Sequence, residues 1–236
     1  MIGTDTIENV SPPVIGSVLF GSEARGDSDQ FSDRDICVFF DSITMLERPS
    51  VRARLAQIYS TRPPGVCMYS KPIIESMTRK GSLFMWHLKL ESRILYDPAG
   101  FVEHLFQGVV PYSGYATDIL RYERIAFAVS ETLAEGASLT EADLHALFVA
   151  WRNTCLLLTM SKDTPVFARH RALQVAHELF PTLPRKSEAY DVLSEEHLRY
   201  TRNAQFPIRV LTQDTQQELV AHVLAFIKES KALLRL

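Results

Sequence analysis

Between Val18 and Phe40 the chain reads V-L-F-G-S-E-A-R-G-D-S-D-Q-F-S-D-R-D-I-C-V-F-F, and its polar residues are of types that handle phosphate. Asp33 and Asp35 are two positions apart. In a strand beginning at Asp33, residues i and i+2 leave on the same face, so the two carboxylates project together. Such a pair repels itself unless a cation lies between its members. Hard oxygen ligands on one face suit Mg²⁺, whose remaining positions go to water and substrate phosphates. Upstream, Gly21 permits close backbone approach. The amides and hydroxyl from Ser22 onward, opening a helical turn, can hold phosphate oxygens. Arg25 is placed to meet the same anion.

Two strands and a connecting turn must position these groups. Val14–Phe20 and Ile36–Phe40 are β-branched and aromatic runs of strand length, each bounded by Gly, Ser or Asp, and are expected side by side. Val66–Tyr69 and Arg93–Tyr96 are further short runs, the latter closed by Asp-Pro-Ala-Gly. Between them, Ser50–Tyr59 places Val51, Leu55 and Ile58 at helical spacing, and Lys71–Leu90 reads as one helix or two abutting ones. Strands separated by helices predict an α/β domain with a short mixed sheet.

After Pro111 the strand signals nearly vanish. Tyr115–Leu133 puts Ile119, Tyr122, Ala126, Val129 and Leu133 on one stripe. Ser138-Leu-Thr-Glu141 has the spacing of a capping box. The following Ala142–Met160 is apolar around most of its circumference, as befits a central buried helix. Pro165–Phe180, Glu188–Thr201 and Thr215–Leu234 are three more amphipathic segments, punctuated by Pro181, Pro184 and Pro207. The expected organisation is an α/β domain over residues 1–110 and an all-α helical bundle over residues 111–236.

Composition sets outer bounds. The chain has 236 residues, 46% hydrophobic and 22% charged, which is ordinary for a folded protein and excludes a disordered or collagenous one. Lys and Arg number 25 against 28 Asp and Glu, a net charge of -3, so wrapping of duplex DNA is disfavoured. Cys37, Cys67 and Cys155 show no C-x-x-C spacing, hence neither a disulfide framework nor a zinc knuckle. The N-terminus has no basic segment leading into an apolar one, and no apolar run approaches the ~20 residues of a membrane span. The expectation is a soluble, cytoplasmic protein, and a homo-oligomer is compatible with it.

The glycine turn and the aspartate pair together resemble the DNA polymerase β-like nucleotidyltransferase superfamily. Its pattern is a strand, Gly-Ser, several residues with Arg-Gly, then Ser-Asp-x-Asp, and Gly21, Ser22, Arg25, Gly26, Ser32, Asp33 and Asp35 stand in those places. The form G-S-x-A-R-G is similar to that of the minimal and antibiotic-modifying bacterial members. Either half alone also fits a plain turn or a solvated strand start. The resemblance implies Gly21, Ser22, Arg25 and Ser32 at the nucleotide, and Asp33 and Asp35 as catalytic ligands of Mg²⁺, of two-metal type.

The family also uses a third carboxylate, on a later strand. That strand is expected at Gly65–Ser70, which carries no acid. Glu75 is one substitute, although its spacing also fits the outer face of a surface helix. Glu123 of the second domain, between Arg121 and Arg124, is another, although Arg-Tyr-Glu-Arg also reads as a solvated helix face. Trp86 and His87 lie among apolar neighbours and read as packing residues. Arg171 and His177 have the R-x5-H spacing of the HEPN ribonuclease motif, but Ala172 stands where that motif has a polar residue. Arg152 and Asn153 interrupt an apolar helix, either satisfied inside the bundle or turned toward an interdomain cleft.

The resemblance implies transfer of a nucleoside monophosphate from a nucleoside triphosphate, ATP being the expected one, to an acceptor hydroxyl, with the helical domain choosing the acceptor. A small molecule, a protein hydroxyl and an RNA 3′ end all fit, the net charge favouring a cationic small molecule. The missing third acid supports an alternative: a catalytically silent nucleotidyltransferase-like protein that binds nucleotide or a partner, as an antitoxin or defence component does.

Overall fold

The structure, a computed structural model, describes residues 7–29, 32–62, 65–202, 204, 206 and 209–236. The chain divides between Ser113 and Gly114 into two compact units.

The first unit is a four-stranded mixed sheet with helices on both faces. Its strands are β1 (Val14–Phe20), β2 (Asp35–Phe40), β3 (Val66–Ser70) and β4 (Arg93–Tyr96), in the order β3-β2-β1-β4. β1 runs antiparallel to β2, with Phe20 opposite Asp35, and antiparallel to β4, with Leu19 opposite Arg93. β2 and β3 are parallel, with Ile36 opposite Val66. The unbroken apolar run of β2 follows from its central place, because alternate side chains of a strand enter opposite faces and here both faces are covered. Ile36, Val38 and Phe40 join Val51 and Leu55 of α2 (Arg48–Ile58) in one core. Cys37 and Phe39 join Ile74, Met85, Leu88 and Val102 in the other. Those residues come from α3 (Lys71–Arg79), α4 (Leu83–Glu91) and α5 (Phe101–Gln107). Between β1 and β2 the chain makes a single turn, α1 (Ser22–Arg25). The predicted strand start at Asp33 is corrected: β2 begins at Asp35, since its partner β1 ends at Phe20 and leaves the earlier residues nothing to pair with.

In the second unit every regular element among the described residues is a helix: α6 (Tyr115–Ala134), α7 (Glu141–Met160), α8 (Arg169–Leu179), α9 (Ser187–Arg202) and α10 (Gln213–Leu233). α7 is the central one and packs against the other four, burying Leu147, Phe148, Trp151, Cys155 and Leu157 among others. Burial on nearly all sides explains why it shows no polar face.

Two expected helix starts move. The capping box is formed by Thr140 and Asp143, not Ser138 and Glu141: Thr140 Oγ1 accepts from the Asp143 amide and the Asp143 carboxylate accepts from the Thr140 amide. The overlapping pair with the same spacing, two residues nearer the apolar run, wins. The helix expected from Pro165 begins at Arg169. Before it, the Val166 amide donates to Thr159 Oγ1 and the Phe167 carbonyl accepts from Arg152, and these bonds hold that stretch out of helical conformation. Pro207 lies outside the described residues. Among the described residues no helix is long and apolar enough to cross a membrane.

Candidate functional site

The predicted nucleotide turn sits where β1 ends. Gly21 has φ 76° and ψ -155°, in the positive-φ region that costs a side chain strain. The turn is closed by hydrogen bonds from the Arg25 amide to the Gly21 carbonyl (3.1 Å) and from the Gly26 and Asp27 amides to the Ser22 carbonyl (2.9 and 3.1 Å). Because Phe20 pairs with Asp35, the Asp35 carboxylate stands directly beside this turn. A β-carbon on Gly21 would lie 2.8 Å from Asp35 Oδ2. Gly21 therefore lets the Asp35 carboxylate come closer to the backbone of the turn than any side chain there would allow.

Asp33 precedes the strand and is ion-paired with Arg62, itself largely exposed. Arg34, between the two aspartates, turns the other way. It makes a forked contact with Glu23 of α1, Nε to Oε2 at 2.9 Å and Nη2 to Oε1 at 2.6 Å, and its Nη1 donates to the Tyr59 carbonyl at 3.1 Å. The hydrogen bond from Arg34 holds the Glu23 carboxyl below its usual range.

Arg25 is turned to two carboxylates. Its Nε donates to Asp27 at 3.1 Å and its Nη1 to Glu91 Oε2 at 2.7 Å. His87 Nε2 approaches the same Glu91 oxygen at 3.4 Å, and the His87 ring meets Phe20 edge to face at 5.4 Å. Burial pushes the Glu91 carboxyl up, but the neighbouring His87 and the hydrogen bond and charge of Arg25 outweigh it and leave the group below its usual value. Ser32 closes its own loop, accepting from the Asp29 amide and donating to Asp29 Oδ1, both at 2.9 Å.

Of the two positions where the third acid is expected, Gly65 and Val66, the first is sterically shut and the second is buried in the apolar core. Gly65 lies one residue before the Ile36–Val66 pair, level with Asp35, and a β-carbon there would be 2.6 Å from the Arg34 carbonyl and 2.8 Å from Thr61 Oγ1. Among the described residues no group of three or more His, Cys, Asp or Glu is arranged to hold a metal ion. Of the two expected acids, Asp35 lies beside the Gly21 turn and Asp33, outside the strand, is paired with Arg62. Two carboxylates are the donor number of many Mg²⁺ sites, with water and substrate phosphates completing the shell.

The other candidates lie in local contacts. Glu75 on α3 is half exposed and faces Arg79 one helical turn on, at 4.0 Å. Glu123 on α6 receives Lys231 Nζ of α10 on both oxygens, at 2.9 and 2.8 Å. Arg152 donates to the Phe167 carbonyl and to Asn153 Oδ1, satisfied within the helical unit. Arg171 pairs with Glu178, and His177 Nε2 lies 3.2 Å from the Pro184 carbonyl. Trp86 Nε1 donates to the Val110 carbonyl. Sequence reasoning missed Glu91, Glu23 and Arg62. No local signal marks Glu91, whose place near the turn follows from the pairing of Leu19 with Arg93 two residues on.

Residues 6–103 match the family model described as "Nucleotidyltransferase domain". No curated protein matches the chain. Among solved structures, the chain is similar to a spectinomycin adenyltransferase from Enterococcus faecialis, determined with ATP and spectinomycin. The TM-score is 0.52 at 11% identity, over 95% of this chain and 96% of that one, so the likeness is one of fold and extends through both units.

Proposed function

With residues 6–103 a nucleotidyltransferase domain of the DNA polymerase β-like superfamily, we propose that the protein transfers a nucleoside monophosphate from ATP to a hydroxyl of a small molecule. The observation that carries this reading is the close approach of the Asp35 carboxylate to the turn at Gly21, a glycine at positive φ. Gly21 and Ser22 receive the β- and γ-phosphates, and Ser32 keeps the loop before the aspartates closed. Asp33 and Asp35 hold Mg²⁺, which when bound neutralises charge on the phosphates and polarises the transferred group. Arg62, paired with Asp33, would have to give up that contact for Asp33 to hold a metal. The fold neighbour's ATP and spectinomycin support ATP as donor and a small molecule as acceptor, and the net charge of -3 suits a cationic one.

A second reading has one observation of its own. The closure of Gly65 against the Arg34 carbonyl removes one of the two expected places for a third acid, which favours a protein that holds nucleotide without turning it over. Incubation with each labelled nucleoside triphosphate, Mg²⁺ and a panel of hydroxylated acceptors separates the two: pyrophosphate release supports transfer, and nucleotide binding without release supports the silent form.

A further inference from the structure

We propose that Glu91 is a positioning residue for the nucleotide turn: through Arg25 it fixes Gly21–Arg25 from the β4 side, while Arg34 fixes the same turn through Glu23 from the β2 side. This rests on the nucleotidyltransferase reading and reassigns Arg25 from phosphate ligand to anchor. Glu23 and Arg25 are the two charged residues of α1, and they point to opposite flanks of β1. The turn's acid is held by the base just before β2, since Arg34 forks onto Glu23. The turn's base is held by an acid at the end of α4, since Glu91 takes Arg25 Nη1 at 2.7 Å.

Register explains why both anchors are in reach. Phe20 pairs with Asp35, so Arg34 lies just past the end of β1 on one side. Leu19 pairs with Arg93, so Glu91 lies just past it on the other. The Arg25 and Glu91 side chains are only 19% and 15% exposed, so the pair is shielded from the screening that makes surface ion pairs weak. His87 stands behind Glu91 at 3.4 Å, with its ring against Phe20, and limits the rotamers open to the carboxylate. An arginine committed to two carboxylates has little charge left for a triphosphate. What it supplies is a fixed turn, and a site that binds phosphate through backbone geometry depends on that turn being organised beforehand.

The test compares wild type with Glu91→Gln and Glu91→Asp in the full chain. Glu91→Gln keeps the shape and removes the charge. It is expected to speed amide exchange at Arg25, Gly26 and Asp27 by about tenfold, and to weaken MgATP binding by a similar factor, about one decade in Kd. Exchange in the helical unit stays unchanged. Glu91→Asp, which keeps the charge, restores most of both. Arg25→Lys, which keeps the charge but loses the planar fork, reproduces the slackening and serves if Glu91→Gln does not fold. Unchanged exchange at those three amides overturns the assignment alone, as does faster exchange with unaltered MgATP affinity. Wild-type protein that binds no MgATP overturns the nucleotide reading of the site, and this assignment with it.

Discussion

Asp35 Oδ2 lies 2.8 Å from the point where a β-carbon on Gly21 would stand, so the carboxylate that opens the next strand packs directly against the backbone of the turn. Gly21→Ala therefore meets two penalties, positive φ and contact with a carboxylate. We expect it to destabilise the fold by about 1–3 kcal/mol. MgATP affinity should fall at least about tenfold. Thermal melting and calorimetric titration measure the two separately, and an alanine variant with wild-type affinity would show that the turn is not used.

Asp35→Ala should abolish Mg²⁺-dependent nucleotide binding with the fold intact, and Asp33→Ala should do the same. The aspartate pair alone would lead one to expect a higher melting temperature on removing either charge. The structure alters that for Asp33, because Arg62 already offsets it. Loss of so exposed a pair costs at most about 1 kcal/mol, so Asp33→Ala should leave the melting temperature level or slightly lower.

Arg62→Ala should have the opposite effect on the ligand. It frees Asp33 from a competing cation, and MgATP affinity is expected to hold or rise, by no more than about fivefold given the exposure of Arg62. A loss of affinity in the titration would mean that Arg62 serves the nucleotide rather than competing for Asp33.

A carboxylate cannot be placed at Gly65 without moving the neighbouring backbone. Gly65→Glu drives a β-carbon to within 2.6 Å of the Arg34 carbonyl and should cost about 1–3 kcal/mol in urea unfolding. Any turnover should not increase. In contrast, Glu123→Ala strips Lys231 of its partner and should lower stability by up to about 1 kcal/mol while leaving MgATP affinity unchanged.

His145 and His197 of the helical unit stack at 8°, with Nδ1 atoms 2.8 Å apart. Burial, then His145 and Arg169, Arg152 and Arg202, pull His197 down from 6.5 to about 3. The folded protein thus keeps this ring neutral where the unfolded chain protonates it. Its contribution is present above the unfolded value of 6.5 and is lost as pH falls toward about 3. The slope is up to about 1.4 kcal/mol per pH unit. Urea midpoints near neutrality and near pH ~5 measure it, and His197→Phe should flatten the difference.

The fold was legible where burial leaves a pattern. The run Ile36–Phe40 is apolar because both faces of β2 are covered, and that signal needs no tertiary information. The turn and the aspartates were legible because residue type and spacing are local. Two positions could not be read in the same way. Arg25 and Glu91 are 66 residues apart and Arg62 and Asp33 are 29 apart, and nothing in a local pattern says which charges will meet once strands pair. The capping box shifted because Ser138–Glu141 and Thr140–Asp143 share one spacing, and only the position of the first buried residue decides between them.

The central claim is that the turn at Gly21 and the Asp35 carboxylate beside it serve the transfer of a nucleotidyl group. Pyrophosphate release from ATP with Mg²⁺ and a panel of hydroxylated small molecules, measured for wild type and Asp35→Ala side by side, tests it most directly. The account expects release by wild type with at least one acceptor and none by Asp35→Ala. Equal release by both, or tight ATP binding by wild type with no release from any acceptor, would contradict it.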